Sequence, residues 1–560
     1  MGQIYSDATT VLIWIGLGDQ ESDLAMETIP GLVRDLEEFD QGSQPPFQVL
    51  NNAAKLDATR ARALEHLFKR RWFSRVWTLQ EAALGQTCQL LCGDKRIDFH
   101  LLLTLNDRSR TDLHGRWKEV VKSIGFANIL ENENPRYAMQ HIHTISKLKN
   151  SRAQTSNRIE EPLYIVLARL RTCGCSDDRD RIYGLYEFLP TRFQHFLESE
   201  LKPSEHTVAS LYQSLASIGI VERKQTAFLS MAGLLEQDSS LNLPSWAPDW
   251  TYRGKRSYFT IINQDCVNKG KDLIYSAGGN GSSLDPTIEG DTLNVKGKIL
   301  GSIAEINDSF SFMIPPTMNW PNYGEKYAYS ANREAEDLGR IDACLALANR
   351  HRPLYTGADF IIACYRTLFT AVKALGDGST PSTMLLASDS TLNEHFESLR
   401  TQQVLSLIWS MEPNNEAIKE RRQIEWVFSG LHSFKIYIDW LERIRNQAGD
   451  TTEAFSDACK SRAFCVIEQT LYARQGQETE KRKFVGLVPD GAITGDVVAI
   501  IYGCPAPMLL RKTESSYEDG HSKPSDGPKY RLLGECFVHG FMNGEAVNMT
   551  EIDDQVIGLV

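Results

Sequence analysis

The sequence predicts a multidomain α+β protein with an α/β portion at its N-terminus, a mainly helical middle region and a small C-terminal β-barrel that contains a helical insertion. Three patterns support this prediction. The apolar run Thr10–Ile15 is typical of a strand covered on both faces in an α/β sheet. Residues 115–220 and 330–448 have helical periodicity. Short apolar segments between residues 464 and 538, separated by glycine turns, are typical of barrel strands.

The remaining N-terminal elements follow from periodicity and turn residues. Residues 20–40 are predicted to be helical, and so are residues 55–84, with a break near Trp72. A short hairpin is expected around the Gly93-Asp94 turn. Gly16-Leu17-Gly18 does not complete a dinucleotide-binding loop, because residue 21 is glutamate where the third glycine of that motif would stand.

Farther along the chain, the segment Leu243–Trp250 contains two prolines, so it is expected to be an extended strap that lays two indole rings on a core. Strands are predicted from Thr292 onwards, and Asn543-Gly544 marks a final tight turn. If the strands near residue 293 belong to the barrel, the helical region is an insertion between barrel strands. The later strands are expected at 464–467, 483–488, 496–502, 507–511 and 531–538.

Length, charge and cysteine content exclude several classes of protein. A chain of 560 residues is too long for one core, and its net charge of −12 disfavours binding to nucleic acid or to anionic membranes. The odd number of cysteines, 11, fits thiols in a reducing cytoplasm. Cys88 and Cys92 are close in sequence, as are Cys173 and Cys175, but neither has a matching second pair, so no metal site and no bound cofactor are expected.

No apolar run is long enough to span a bilayer, and the first residues lack a secretory signal, so a cytoplasmic location is predicted. The start Met1-Gly2-Gln3-Ile4-Tyr5-Ser6 matches the pattern for myristoylation. Neither a basic cluster nor a nearby cysteine supplies the second signal that stable anchoring requires. Myristoylation at Gly2 is therefore not expected.

The candidate site is the segment Arg70–Glu81, which combines three aromatic rings, three arginines and one carboxylate. Its periodicity predicts a helix on which Glu81 lies one turn after Trp77. A carboxylate held against an indole ring is partly desolvated, which is one way of preparing an acid or a base. Glu81 is thus the catalytic candidate, supported by Trp72, Arg75 and Trp77. In the alternative interpretation, the rings belong to the core and Glu81 pairs with a nearby arginine.

Two other groups of residues are interpreted as structural. Cys536 and His539 have the chemistry of a nucleophile and a base, but residues three apart on one strand point to opposite faces, so they do not form a dyad. The acidic residues in Asp177–Arg181 precede an apolar stripe from Ile182 to Leu189. Acids at the start of a helix complement its dipole, which is favoured here over a metal site.

Several blocks of this sequence, taken in order, resemble those of the fungal heterokaryon-incompatibility (HET) domain proteins. Each block is moderately specific alone, and together they extend over nearly the whole chain. The blocks are Gln3–Gly16, Arg71–Glu81, Asp178–Leu185, Leu243–Trp250, Gly495–Val498 and Gly534–Ala546.

The resemblance implies a role in fungal nonself recognition, in which such proteins trigger growth arrest or cell death after incompatible cells fuse. HET domains are in turn remotely similar to TIR (flavodoxin-like) domains, some of which cleave NAD at the nicotinamide glycosidic bond. A plant-type TIR helix reads W-C-x-x-E-L, and the segment Trp77–Ala82 places Glu81 at the position of that glutamate, without the cysteine and the leucine. By this analogy, Glu81 stabilises positive charge on the ribose as nicotinamide leaves.

The resemblance also implies a block of the form D-A-[IL]-C-I-[ND]-Q before the first helix, and this chain opens inside that helix at Met1. The HET domain is therefore expected to lack its first strand, which leaves Val11–Ile15 at an unpaired edge. Either the gene start has been assigned too late, which we favour, or the protein is a degenerate paralogue. The expected domains are a partial HET domain (1–105), a helical middle region (106–250), the first barrel strands (251–310), a helical insertion (311–455) and the rest of the barrel (456–560).

Two functions remain open at this point. The first is an incompatibility protein without catalytic activity, whose middle helices and barrel bind a protein partner or the product of an incompatible allele. The second is an effector enzyme that hydrolyses NAD as its substrate, with Glu81 as the essential carboxylate.

Overall fold

The computed structural model describes most of the N-terminal and C-terminal parts of the chain. The described residues are 2–40, 57–110, 133–153, 162–189, 191–199, 206–233, 241–252, 275–279, 286–307, 461–472, 478–513 and 528–560, with a few isolated positions between 259 and 386.

The N-terminal part alternates helices with three strands. The predicted break in helix 55–84 is confirmed, because a 3-10 turn at Arg71–Ser74 separates two helices there. The elements are α1 (Gly2–Asp7), β1 (Thr10–Trp14), α2 (Gln20–Asp40), α3 (Ala58–Phe68), α4 (Thr78–Leu84), β2 (Thr87–Cys92), β3 (Lys95–Asp98) and α5 (His100–Arg110).

These strands form a three-stranded sheet in the order β1-β2-β3. β1 runs parallel to β2, with Ile13 opposite Leu90, and β2 pairs antiparallel with β3. The predicted hairpin is confirmed, and Gly93 adopts φ +54° in its turn, a conformation that favours glycine.

The prediction that the apolar run Thr10–Ile15 is covered on both faces is wrong. Val11 and Ile13 are buried beneath α2 and α4, whereas Leu12 and Trp14 are each 62% exposed. The physical reason is that the helices in contact with this sheet pack on the face that carries Val11 and Ile13. Among the described strands, β1 lies at the edge of its sheet.

The middle region is helical, as predicted. Its described helices are α6 (Glu133–Ala153), α7 (Leu163–Leu170), α8 (Asp180–Tyr183), α9 (Thr191–Ser199) and α10 (Val208–Ser217). The apolar stripe from Ile182 to Leu189 does not form one helix, since α8 ends at Tyr183 and a separate 3-10 turn follows at Tyr186–Phe188. The acids that precede this stripe pair with the arginines between them, as Asp177 does with Arg179.

The C-terminal part contains a second, mainly antiparallel sheet. Its strands are β4 (Thr287–Glu289), β5 (Thr292–Ile306), β8 (Arg462–Tyr472), β9 (Glu478–Pro489), β10 (Val497–Ile501), β11 (Met508–Lys512), β12 (Lys529–Glu535), β13 (Phe537–Val538) and β14 (Gln555–Leu559). All five later strands predicted between 464 and 538 are present. Strand β14 was not predicted, because Gln555 and Gly558 interrupt its short apolar run.

Strand β5 organises this sheet because it is long enough to pair with several strands. Residues 293–297 pair with β14, residues 297–302 pair with β10, and residues 302–306 pair with β8. The pairings β10-β11-β12-β14-β5 return to β10, so five strands close into a ring. Gly297 lies where this ring closes, and a Cβ atom there would be only 2.3 Å from the carbonyl oxygen of Ile500.

The predicted helical insertion at 311–455 lies almost entirely outside the described residues. Its described part includes two short strands, β6 (Val372–Lys373) and β7 (Leu385–Leu386), which pair antiparallel. The domain boundaries drawn from the sequence stay predictions.

The strap Leu243–Trp250 connects the N-terminal part to the C-terminal sheet. Trp246 and Trp250 are fully buried, and the Trp246 indole donates a 2.8 Å hydrogen bond to the carbonyl of Asp291 in the β4–β5 turn. Ser245 Oγ accepts the N–H of Leu532 at 2.9 Å and donates to the carbonyl of Val560. One continuous hydrophobic core therefore contains both indoles together with apolar side chains of the first sheet and of the second.

We expect Ser245→Ala to lower the free energy of unfolding by about 1 to 3 kcal/mol, because it leaves the buried N–H of Leu532 without its acceptor. The measurement is the midpoint of urea denaturation followed by tryptophan fluorescence. Thr550→Ala removes an exposed hydroxyl and is the control, with an expected change within about 0.5 kcal/mol. Equal midpoints for the two variants would contradict the role assigned to the strap.

Candidate functional site

The candidate site is built on the 3-10 turn Arg71–Ser74 and on helix α4. The turn directs Trp72 and Phe73 inward, where their rings meet edge to face with centroids 5.2 Å apart. Phe99 packs against the other side of Trp72 at 5.5 Å, and Phe68 packs against Phe73 at 5.4 Å. Such edge-to-face contacts stabilise aromatic clusters beyond the area that they bury.

Glu81, the predicted catalytic residue, lies half-buried on α4. The indole Nε1–H of Trp72 donates a 3.0 Å hydrogen bond to its Oε2 atom. The sequence pattern pointed instead to Trp77 as the ring beside Glu81. Trp77 is the residue that precedes the first turn of α4, whereas the 3-10 turn folds Trp72 back over the helix. Local periodicity cannot show a contact that depends on a turn of this kind.

Arg75, the third supporting residue, is exposed; its backbone forms a bridge to Gly174, and its carbonyl accepts the hydroxyl of Thr78. Within the described residues, Glu81 forms no ion pair with an arginine. Helix α1 instead brings Tyr5 close to Glu81. Burial, and secondarily the negative charge of Glu81, raise the pKa of Tyr5 above its ordinary value.

The residue before Glu81 connects α4 to the middle region. The buried amide of Gln80 donates 3.2 Å hydrogen bonds to the carbonyls of Tyr183 and Gly184. A Cβ atom on Gly184 would lie 2.5 Å from a methyl carbon of Val76, so this close approach requires glycine. The sequence blocks that contain Glu81 and Gly184 therefore pack directly against each other.

A second connection runs through the backbone. Gly174 donates its N–H to the carbonyl of Ser74 at 2.5 Å and accepts the N–H of Val76 at 3.3 Å. The buried guanidinium of Arg181 holds the same loop, donating to the carbonyls of Leu170 at 2.8 Å and Cys173 at 2.9 Å. The arginine of the Asp178–Leu185 block thus has a structural role at this junction.

His141 on α6 is a site residue that the sequence analysis missed. Its ring is 2% exposed and lies between Thr78 and Cys173, with Nε2 2.7 Å from Thr78 Oγ1 and Nδ1 3.4 Å from Cys173 Sγ. Burial lowers the pKa of His141 to about 4, so the imidazole is neutral at physiological pH. No motif marks this histidine, because its partners lie 63 and 32 residues away in the sequence.

Glu535 in the C-terminal sheet is a second buried titratable residue that the sequence analysis missed. Its carboxylate accepts the N–H of Phe259 at 2.7 Å and the hydroxyl of Thr260 at 3.1 Å. Burial raises the pKa of Glu535 to about 7, although the nearby charge of Arg462 opposes this shift. The adjacent Cys536 is fully buried, and its thiol donates to the carbonyl of Pro507.

The described part of the chain contains no group of three or more metal-ligating side chains close enough to hold an ion. In the same residues, no helix has both the length and the apolar composition needed to cross a membrane. The described cysteines form no disulfide. Gly2 is buried, and a Cβ atom there would lie 2.2 Å from the side chain of Glu187.

Comparison with known proteins identifies relatives of this chain. Residues 1–81 match the protein family described as "Heterokaryon incompatibility protein (HET)". Over 607 aligned residues the chain is 23% identical to "Heterokaryon incompatibility protein 6, OR allele" of Neurospora crassa, an alignment that covers 99% of this chain and 79% of the relative. No solved structure matches the chain.

A double-mutant cycle with Trp72→Phe and Glu81→Ala is expected to give a coupling energy of about 1 kcal/mol, because phenylalanine keeps the ring but removes the N–H donor. Urea denaturation of the four proteins measures this energy. The matched control is the same cycle with Trp77→Phe, for which we expect less than about 0.3 kcal/mol. Stronger coupling of Glu81 to Trp77 than to Trp72 would contradict the site geometry.

The stability of the protein should depend on the ionisation of Glu535. Because the folded-state pKa of about 7 lies above the ordinary value of 4.5, the stabilisation is complete below pH 4.5 and is lost as the pH rises through 7. The loss is about 3 kcal/mol between these limits. Glu535→Gln, which is neutral at every pH, should remove this dependence in denaturation curves recorded from pH 4.5 to 8. A variant that keeps the full wild-type slope would exclude Glu535 as its source.

Proposed function

We propose that this chain, which is a HET-domain protein, acts in heterokaryon incompatibility, where recognition of a nonself partner leads to growth arrest or cell death. One observation carries the proposal: the segment that matches the HET family ends at Glu81, on the helix against which the Asp178–Leu185 block packs. The similarity to the Neurospora crassa incompatibility protein over 99% of the chain supports the same function.

In the proposed mechanism, the C-terminal part recognises the partner. The signal is then transmitted to residues 1–81, which match the HET family and are called the HET segment. We infer that the closed ring of five strands is the small β-barrel expected from the sequence, and that it binds the protein partner or the product of an incompatible allele. The strap supports transmission, since Trp246 and Trp250 belong to the core shared by both sheets. Ser245 bonds to Leu532 in β12 and to Val560, the residue after β14, so a change in either strand can reach the strap through these bonds.

A second candidate function is hydrolysis of NAD at the nicotinamide glycosidic bond. The position of Glu81 favours it, since a half-buried carboxylate between Trp72 and Tyr5 is suited to stabilise positive charge on a ribose. Under this proposal, the HET segment has the activity of those TIR domains that cleave NAD.

The two candidates predict opposite results for Glu81→Gln in a fungal host that expresses the full chain. If the HET segment acts through association, this variant keeps the growth arrest and the purified protein releases no nicotinamide from NAD. If the segment is an enzyme, growth arrest and nicotinamide release are lost together, by at least about 100-fold in rate. Glu551→Gln, an exposed carboxylate of the C-terminal part, is the control and changes neither readout.

Recognition by the C-terminal part is tested with Gly297→Ala, which separates β5 from β10 where the ring closes. We expect this variant to lose growth arrest in cells that carry the incompatible partner. Limited proteolysis should show that its N-terminal part is still folded. The control is Gly290→Ala, at a turn where a Cβ atom has open space, so that this substitution strains the backbone at φ +59° without pushing two strands apart. Full growth arrest with Gly297→Ala would refute recognition by the ring.

A further inference from the structure

His141 stands at the centre of a chain of hydrogen bonds that connects three parts of the N-terminal region. Its helix, α6, supplies the imidazole, α4 supplies the hydroxyl of Thr78, and the loop after α7 supplies the thiol of Cys173. The ring of Trp72 packs edge to face against the imidazole, with centroids 6.2 Å apart. All four side chains are buried.

The hydrogen bonds fix which nitrogen of His141 carries the proton. Thr78 Oγ1 lies 2.6 Å from the carbonyl oxygen of Arg75, which can only accept, so the hydroxyl hydrogen points to that carbonyl. The same oxygen therefore accepts from Nε2–H of His141 at 2.7 Å. Nδ1 is left unprotonated, and it accepts the thiol hydrogen of Cys173 at 3.4 Å.

This arrangement sets the position of Glu81 through two neighbours. Thr78 Oγ1 is also 3.2 Å from the carbonyl of Trp72, the residue whose indole donates to Glu81. On the other side, Cys173 precedes Gly174, which bonds to Ser74 at the end of the turn and to Val76 just after it. His141 thus contacts both sides of this junction, Thr78 on α4 and Cys173 in the loop after α7. The junction places the indole of Trp72 against Glu81.

A proton added to Nδ1 would disrupt this chain. The protonated Nδ1 would no longer accept the thiol hydrogen of Cys173, and the positive charge would lie in a buried site. Cys173 is the titratable side chain in contact with the imidazole, and burial alone accounts for the lowered pKa of His141, with no contribution from a carboxylate or a cation. The charged form is therefore less favourable in the closed junction than in an open one.

We propose that His141 is a positioning residue that holds Trp72 against Glu81 while its imidazole is neutral, so that acidification releases this pair and regulates the HET segment. The regulatory role rests on the proposed function. The positioning role does not, because it concerns the Trp72–Glu81 contact itself.

The difference between the ordinary pKa of 6.5 and the value of about 4 in the closed junction sets the size of the effect. Stability contributed by neutral His141 is complete above pH 6.5 and is lost as the pH falls towards 4. Between pH 8 and pH 5, the equilibrium between closed and open junctions should shift about 30-fold towards the open state.

The test is ¹⁹F NMR of the full chain labelled with 5-fluorotryptophan, with the Trp72 resonance assigned by its absence in Trp72→Phe. We expect this resonance to change between pH 6.5 and 4 while far-ultraviolet circular dichroism stays constant. His141→Gln can still donate to Thr78 but does not titrate, so its Trp72 resonance should stay at the wild-type position for neutral pH throughout. His100→Gln, an exposed histidine on α5, should titrate like the wild-type protein.

Three results would overturn the proposal: a Trp72 resonance that does not respond to acid, a full response in His141→Gln, or a response that coincides with global unfolding. None of these results depends on growth arrest in cells or on nicotinamide release. Failure of the positioning role is therefore distinguishable from failure of the proposed function.

Discussion

The burial of the strap Leu243–Trp250 is the constraint on which the rest of the structure depends. Its two indoles are fully buried, and burying a tryptophan removes more apolar surface from water than burying any other side chain. The guanidinium of Arg171 lies 4.9 Å from the Trp250 ring and donates to the carbonyl of Met231, which fixes the strap against the middle helices. The strap therefore belongs to the core that the two sheets share.

Around α4, the packing is specified by polar groups rather than by apolar surface alone. Gln80, Arg181 and His141 are buried. Gln80 and His141 bond to groups far away in the sequence, and Arg181 bonds to the carbonyls of the loop after α7. A buried polar group is costly unless it is satisfied, so each of these residues accepts only one arrangement of its neighbours. This explains how a short helix of seven residues can position Glu81 reproducibly.

The two buried titratable residues respond to pH in opposite directions. Burial disfavours the charged form of each, which lowers the pKa of His141 and raises that of Glu535. Acidification therefore weakens the junction in the N-terminal part, whereas in the C-terminal part it removes the cost of burying a charged Glu535. Between pH 4.5 and 6.5, the two residues therefore change the free energy of unfolding in opposite directions. The junction around α4 can open in this range while the C-terminal sheet stays stable.

The sequence by itself determined the features that depend on nearby residues. The hairpin around Gly93-Asp94, the break before α4, the non-helical strap and most strands of the C-terminal sheet follow from turn residues and from apolar periodicity. The ordered blocks also pointed to the family whose model matches residues 1–81, a match that ends at Glu81. These signals are local because backbone conformation is restricted mainly by neighbouring side chains.

Only the tertiary structure decided which side chains meet. The partner of Glu81 is Trp72 and not Trp77, the outer face of β1 is exposed, and β14 joins the ring by pairing with β5 and β12. His141 and Glu535 gained their shifted pKa values from residues brought together across long stretches of chain. Periodicity shows which face of an element is apolar, but contacts, burial and electrostatics depend on how those faces are assembled.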